Sequence, residues 1–201
     1  MSQKKIYIIA GPNGAGKTTK VDLLLPKGFL ETNEFVNADN IARGISPYNF
    51  NSKSVNFQAG EQMLKRIKNL IKDEKGFAFE TTLSGKSYVR LIKLAKENDY
   101  LINLIFLYIE NPNLSVARVS QRVKNGGHNI DENDIRRRHH RGISNLVDLY
   151  LSVVDTASVF DGSPFDIDIK RDKIIEKSEG KIIILRDNLW NDLLKISKKH
   201  L

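Results

Sequence analysis

Short runs of apolar residues alternate along the chain with segments in which apolar residues recur every three or four positions. The first pattern is typical of buried strands and the second of amphipathic helices. The apolar runs predict strands at residues 5–10, 35–36, 77–79, 101–109 and 181–185. The three- and four-residue spacings predict helices at residues 17–25, 57–75, 88–98, 114–124, 132–157 and 190–196.

Alternation of strands with helices indicates an α/β fold, in which a mostly parallel sheet is covered by helices on both faces. Pro26 ends the first predicted helix because proline cannot donate the next helical hydrogen bond. With 201 residues, of which 40% are hydrophobic and 28% charged, the chain has the size of one globular domain over residues 1–201.

The composition also bears on the cellular setting. The chain has no cysteine, so it has neither disulfides nor thiolate metal sites, and this fits a reducing compartment. The longest apolar stretch, residues 104–109, is too short to span a bilayer. The first strand begins so early that we expect no signal peptide, and hence a cytoplasmic protein without membrane attachment.

The net charge of +8, from 32 basic and 24 acidic residues, favours anionic ligands. Phosphorylated metabolites and nucleic acid both belong to this class. A basic patch interleaved with aromatic residues, which is typical of nucleic-acid binding, does not occur. Nucleic acid is therefore the less favoured partner.

The segment between the first strand and the first helix carries the clearest chemical pattern, G-x-x-x-x-G-K-[ST]. A strand before it and a helix after it make this pattern a loop that binds the phosphates of a nucleoside triphosphate. Glycines let the backbone approach the phosphates, the helix N-terminus and the lysine attract them, and the threonine hydroxyl suits Mg²⁺. The predicted nucleotide-binding residues are Gly11, Pro12, Asn13, Gly14, Ala15, Gly16, Lys17, Thr18 and Thr19, with Thr18 as the metal ligand.

Two further strand ends carry candidate chemistry, because ligands of open parallel sheets bind beyond the carboxyl ends of the strands. Asp39 follows the second strand and is a candidate general base for a substrate hydroxyl. It is equally suited to cap the N-terminus of a following helix. Glu80, Thr81 and Thr82 follow the third strand as candidate contacts to the substrate or to a magnesium-bound water, or else form a polar turn.

The segment at about residues 114–145 is dense in arginine and is predicted to be a helical lid. Arg118 and Arg122 lie one helical turn apart and share a face. Such arginines can neutralise the charge of a transferring phosphoryl group while the lid excludes water. Gly126 and Gly127 supply the bend. The alternative is a pair of solvated basic helices; the histidines have no zinc-site spacing.

These motifs together resemble the zeta toxin family, from residue 6 to about residue 160. The resemblance rests on the phosphate-binding loop, on N-A-D at residues 37–39, on F-E-T-T-L at residues 79–83 and on R-V-K-N-G-G-H at residues 122–128, followed by I-R-R-R at residues 135–138. It implies a P-loop fold like that of nucleotide kinases, with ATP and Mg²⁺ as cofactors and an antitoxin protein as a possible partner. Family members phosphorylate UDP-N-acetylglucosamine on its sugar 3′-hydroxyl.

The resemblance also implies roles for individual residues. Lys17 and Thr18 correspond to the phosphate-binding lysine and the magnesium-binding hydroxyl, and Asp39 to the catalytic aspartate. Glu80 and Thr82 correspond to the substrate contacts. The lid arginines correspond to Arg122 and to one of Arg136, Arg137 and Arg138, of which we take Arg138. From their shared helical face, independently of the resemblance, Arg118 and Arg122 are expected to contact the nucleotide.

The function predicted from the sequence is transfer of the ATP γ-phosphate to a hydroxyl of a small molecule, most simply a UDP-amino sugar. Two alternatives use the same loop. One is an ATP-dependent switch protein that acts on nucleic acid or on a partner, and the other is a polynucleotide kinase.

Overall fold

The computed structural model describes residues 3–164 and 166–198, and these contain a seven-stranded sheet. The strands are β1 Lys5–Ala10, β2 Glu34–Val36, β3 Phe77–Thr81, β4 Leu101–Tyr108, β5 Thr156–Asp161, β6 Lys173–Ser178 and β7 Lys181–Ile184. Their order across the sheet is β2-β3-β1-β4-β5-β6-β7. The first five strands in this order are parallel, and β6 and β7 are antiparallel to their neighbours.

The helices connect and cover these strands. They are α1 Val21–Leu24, α2 Phe29–Thr32, α3 Ala38–Ile45, α4 Lys53–Lys72, α5 Ser87–Glu97, α6 Pro112–Lys124, α7 Glu132–Asn145, α8 Leu151–Val153 and α9 Asp187–Lys198. A 3₁₀ turn, Thr18–Lys20, precedes α1, and a π-helical turn, Leu146–Tyr150, joins α7 to α8.

Apolar side chains of β1 alternate between two cores, as expected of a strand buried on both faces. Ile6 and Ile8 lie in a large core with residues of α4, α5, α7 and α9. Tyr7 and Ile9 lie in a second core, on the opposite face, with Val21 and other residues around α1 and α2. The sheet therefore lies between two helical layers, and the predicted α/β class, mostly parallel with helices on both faces, is confirmed.

The predicted helix at residues 132–157 is wrong in its last part. The helical segment ends at Val153, and β5 begins at Thr156. Lys177 Nζ, on β6, donates to the carbonyls of Leu151 and Val154 at 2.6 and 2.7 Å and so caps the last turn. These contacts between distant segments, rather than a local signal, end the helix. The sequence analysis missed both β5 and β6.

Smaller differences concern element ends. The predicted helix at residues 17–25 is a 3₁₀ turn followed by the four-residue α1, which ends before Pro26. Strand β3 extends to Thr81, beyond the predicted end at residue 79. Helix α3 was predicted only in the alternative in which Asp39 caps a following helix. Within the described residues, no helix is long and apolar enough to cross a membrane.

Candidate nucleotide and acceptor site

The carboxyl ends of β1, β2 and β3 meet at one edge of the sheet. The parallel register places Ala10 beside Thr81 and Val36 beside Phe79, so the three following segments lie next to one another. They form one wall of a cavity of about 650 Å³, and α6 and α7 form the other. The three candidate strand ends of the sequence analysis are thus brought together.

The phosphate-binding loop follows β1, and its glycines are required by geometry. Gly11 has a φ of 142°, and a Cβ there would lie 2.4 Å from the carbonyl oxygen of Leu107. Gly14 and Gly16 have φ values of 78° and 79°, which favour glycine. The loop residues that line the cavity are Asn13, Gly14, Gly16, Lys17, Thr18 and Thr19, whereas Gly11, Pro12 and Ala15 are not among its lining residues.

Lys17 lies at the inner end of this loop and is only 6% exposed. Its Nζ donates to the carbonyl of Pro12 at 3.0 Å and lies 3.6 Å from Oε1 of Glu80. Burial lowers the pKa of Lys17, and the negative charges of Glu80 and Asp39 oppose that shift. The two carboxylates therefore favour the charged lysine, which is the form that attracts phosphate.

Glu80, near the end of β3, is the centre of the polar contacts around Lys17. Its Oε2 accepts hydrogen bonds from Thr18 Oγ1 at 2.6 Å and from Asn37 Nδ2 at 2.9 Å. The carboxylate of Glu80 and the hydroxyl oxygen of Thr18 are hard oxygen ligands, the type that Mg²⁺ prefers. The donor set at this position therefore fits a magnesium ion, held directly or through water. No group of three or more acidic or histidine side chains suited to a metal occurs within the described residues.

Asp39 lies in the first turn of α3, and it is not the N-cap of that helix. Asn37 is the cap, since its Oδ1 accepts from the backbone N–H of Asp39 at 2.7 Å and of Asn40 at 3.4 Å. The alternative interpretation of Asp39 as a cap is therefore wrong. Its carboxylate, 44% exposed, lines the cavity, and Oδ2 lies 3.9 Å from Nη1 of Arg122.

Thr81 and Thr82 line the cavity on the side of Asp39 and Glu80. The Thr81 hydroxyl accepts from the N–H of Leu83 at 3.1 Å, and the Thr82 and Ser84 hydroxyls lie 2.9 Å apart. Leu83 has a φ of 53°, so these contacts stabilise a tight turn. The segment is a polar turn and also part of the cavity wall.

The arginines of α6 and α7 take different positions. Arg118 donates to the carbonyls of Gly14, Gly162 and Ser163, at 3.4, 2.8 and 2.6 Å, and thereby ties the phosphate-binding loop to the segment after β5. Arg122 points toward Asp39, and its Nη2 donates to the carbonyl of His128 at 2.7 Å. Both arginines line the cavity.

Of the three consecutive arginines on α7, only Arg138 lines the cavity. Arg136 and Arg137 pair with Glu132 and Asp134 of their own helix. The bend between α6 and α7 follows the prediction, since Gly126 has a φ of 77° and the N–H of Gly127 donates to the carbonyl of Arg122 at 2.9 Å.

Sequence reasoning missed several cavity residues. Gln121 and Asn125 follow Arg118 at helical spacings of three and seven, so the face shared by the arginines already pointed to them. Asn37 was noted only as part of a motif. Met63, Tyr88 and Ile130 reach the cavity from α4, α5 and the segment before α7, and no local signal places them there.

A phosphate-binding loop at the end of β1, an acidic residue on the neighbouring strand and an arginine-bearing helical pair across one cavity define a P-loop kinase. The sequence model of the zeta toxin family matches residues 1–179. The chain therefore belongs to the zeta toxin family.

One curated protein and several solved structures are also similar to this chain. An uncharacterized protein of Haemophilus influenzae is 32% identical over 139 residues, which are 68% of this chain and 94% of that protein. A structure of the PezAT chromosomal toxin–antitoxin system of Streptococcus pneumoniae superimposes with a TM-score of 0.64 and 16% identity, over 99% of this chain and 86% of that chain. A structure of the AvrRxo1-ORF1:-ORF2 complex with ATP gives a TM-score of 0.71 and 16% identity, over 97% and 64%. These two structures share the fold.

Proposed function

We propose that the protein transfers the γ-phosphate of ATP to a hydroxyl of a small molecule, and that a UDP-amino sugar such as UDP-N-acetylglucosamine is the acceptor. The observation that carries the proposal is that two sets of side chains line one cavity. We assign Lys17, Thr18 and Glu80, which are joined through the Glu80 carboxylate, to a phosphate and metal end, and Asp39, whose carboxylate is 44% exposed, to an acceptor end.

At the nucleotide end, the backbone of the phosphate-binding loop and the Lys17 ammonium bind the β- and γ-phosphates. Thr18 and Glu80 are the residues that would hold Mg²⁺, and the bound ion supplies positive charge to the phosphate oxygens. The contacts of Glu80 with Thr18 and Asn37 hold its carboxylate in place before any ligand arrives. The site is therefore preorganised for a triphosphate.

At the acceptor end, Asp39 accepts the proton of the substrate hydroxyl as the hydroxyl oxygen attacks the γ-phosphorus. The bond to the β,γ-bridging oxygen breaks, and ADP leaves. Thr81 and Thr82 line the same cavity, and we assign them contacts to the acceptor. Because the protein forms no covalent bond with either substrate in this mechanism, positioning and charge account for most of the rate enhancement.

We assign the lid function to α6 and α7, within residues 114–145 of one kinase domain. Arg122 and Arg138 line the cavity, Arg122 beside Asp39, and can neutralise the charge on the phosphoryl group in transfer. Arg118, whose Nη1 and Nη2 both donate to backbone carbonyls, fixes the base of the lid against the phosphate-binding loop.

A small acceptor is favoured over a polymer by the size of the cavity. A volume of about 650 Å³ lies in the ordinary range for small-molecule and cofactor sites. The choice of a UDP-amino sugar among small acceptors comes from membership of the zeta toxin family.

Incubation with ATP, Mg²⁺ and a panel of nucleotide sugars and nucleosides tests the proposal. We expect one acceptor to gain the mass of a phosphoryl group. Asp39→Asn should abolish that product and keep the affinity for ATP. Asp192→Asn, at a partly exposed carboxylate on α9 that pairs with Lys195 outside the cavity, should change neither. Labelling at full rate by Asp39→Asn would remove Asp39 as the base.

The alternatives predict other results in the same assay. A switch protein hydrolyses ATP, labels no acceptor and is stimulated by nucleic acid. A polynucleotide kinase labels 5′-hydroxyl ends, with binding that weakens steeply as salt rises.

We also propose a protein antitoxin as partner, because the similar PezAT structure is that of a toxin–antitoxin system. A candidate antitoxin that covers the cavity should raise the apparent KM for ATP in proportion to its concentration. An unchanged KM at saturating partner would reject this mode of inhibition.

A further inference from the structure

The bend between α6 and α7 contacts a second loop that lies on the acceptor side of the cavity, between α3 and α4. The N–H of Asn129 donates to Oδ1 of Asn51 at 3.0 Å. The centres of the His128 and Phe50 rings lie 5.8 Å apart. On Phe50, the guanidinium of Arg43 also lies 4.5 Å from the ring centre. We call these five residues, Arg43, Phe50, Asn51, His128 and Asn129, the clasp.

His128 connects the clasp to the proposed catalytic arginine. Its backbone carbonyl accepts the 2.7 Å hydrogen bond from Arg122 Nη2. Gly127, just before it, packs so closely on Arg122 that a Cβ there would lie 2.5 Å from Arg122 Cγ. The direction of Arg122 toward Asp39 therefore depends on the position of the backbone at residues 127–128.

The His128 side chain is buried, and one of its ring nitrogens has no hydrogen-bond partner within the described part of the chain. The ring is only 6% exposed, and its Nδ1 is buried without a hydrogen-bond partner among the residues that the structure describes. A buried polar atom without a partner costs stability, so Nδ1 does not stabilise the ring at this position. Its contact with Phe50 is what holds the loop against the rest of the clasp.

We propose that His128 is a positioning residue, whose neutral ring packs on Phe50 and thereby holds its own carbonyl under Arg122, so that the arginine faces the transferring phosphoryl group. This inference rests on the function proposed above. It adds one requirement to that function: Arg122 can act on the phosphoryl group only while the contacts of the clasp are formed.

The charges around the ring make the clasp sensitive to pH. Arg122, Arg138 and Arg43 face His128 with positive charge, and Asp39 with negative charge. Burial, more than these charges, lowers the pKa of His128 below its usual 6.5. Protonation would place a further positive charge among three arginines, so we expect it to open the clasp and release Arg122. The activity that depends on Arg122 is then lost as the pH falls below 6.5 toward the lowered pKa.

Three substitutions at His128 separate packing from chemistry. His128→Ala should lower kcat by roughly 10- to 100-fold and leave the KM for ATP within about twofold, the behaviour of a misplaced catalytic group. His128→Phe retains a ring and should recover most of that loss. Because phenylalanine does not titrate, the decrease in kcat below pH 6.5 should be absent from this variant. His128→Gln retains polar atoms without a ring and should resemble the alanine variant. Recovery by Gln and not by Phe would overturn the proposal in favour of a chemical role.

A measurement without any acceptor distinguishes failure of the clasp from failure of the proposed reaction. Hydrogen–deuterium exchange of residues 125–131 in the ligand-free protein should become faster in His128→Ala and in Phe50→Ala. Tyr48→Ala, at a fully exposed neighbour outside the clasp, is the control and should leave the exchange unchanged. Unchanged exchange in both clasp variants rejects the clasp, even if an acceptor is phosphorylated. Faster exchange without any labelled acceptor upholds the clasp and counts against the kinase assignment.

Discussion

Oδ2 of Asp39 lies 3.9 Å from Nη1 of Arg122, although the two residues belong to opposite walls of the cavity. Asp39 is on α3, at the end of the second strand, and Arg122 is on α6 in the predicted lid. The proposed base and the proposed charge-stabilising group are therefore each other's partners.

This relationship predicts the effect of Arg122→Ala. Loss of a cation aimed at the transferring group should lower kcat about 100-fold. Arg122→Lys keeps the charge but loses the planar fork that reaches both Asp39 and the His128 carbonyl, so it should recover only part of the rate. Steady-state kinetics at saturating ATP measures both variants. Equal rates for Arg122→Ala and the unmodified protein would show that the pair has no part in the reaction.

The three consecutive arginines of α7 offer a matched comparison. Arg138→Ala should lower kcat by about tenfold or more, because Arg138 alone among them lines the cavity. Arg137→Ala should leave kcat unchanged, since Arg137 pairs with Asp134 on the exposed side of the helix. The two variants have the same change of charge, so a difference in rate isolates position. A larger loss for Arg137→Ala would contradict the assignment.

Glu80→Gln tests the metal end of the site. The amide keeps the size of the side chain but removes the charge that faces Thr18 and Lys17. The Mg²⁺ concentration for half-maximal activity should rise by about tenfold, because carboxylates are the stronger ligands of this ion. Titration of activity with Mg²⁺ at fixed ATP gives the value. Glu34→Gln, which removes an equivalent charge from an exposed pair with Arg66, should leave the titration unchanged.

His139 predicts how stability depends on pH. Its ring is fully buried, and Nε2 is 2.6 Å from the carbonyl oxygen of Ile109. Burial lowers the pKa of His139 to about 4, from 6.5 in the unfolded chain. Between these values the unfolded state binds more protons, so the free energy of unfolding should fall as the pH drops from 6.5 to 4, by about 3 kcal/mol.

Denaturant unfolding at a series of pH values measures that loss. His139→Gln, whose amide can donate to the same carbonyl without titrating, should show a smaller dependence over this range. A variant that loses as much stability as the unmodified protein would show that other groups cause the acid sensitivity.

The sequence predicted the centre of the sheet and the helices next to it. Strands β1, β3 and β4 are continuous apolar runs because both of their faces are buried, and that pattern is readable without a structure. Strand β5 was not readable, because apolar spacing continues from the helix before it. What separates the two elements is Lys177, which reaches the carbonyls of Leu151 and Val154 from more than twenty residues away.

The candidate site, too, could be predicted from the sequence only in part. Spacing alone placed Lys17, Thr18, Asp39 and Glu80 at the ends of neighbouring strands, and the structure places them around one cavity. Their catalytic roles stay predictions. Spacing did not show that one side chain, Asn37, both caps α3 and binds Glu80. It also did not separate Arg138 from Arg136 and Arg137, since that choice depends on the rotation of α7 against α6.

The three carbonyl bonds of Arg118 have a mechanical consequence for the helical pair. They fasten the middle of α6 to the phosphate-binding loop and to the segment after β5, whereas Arg122 lies one turn farther along. Any swing of the outer part of α6 and of α7 must either break these bonds or pivot around them. Arg118 thus holds the inner half of α6 in place, so that any change in the direction of Arg122 must begin beyond residue 118.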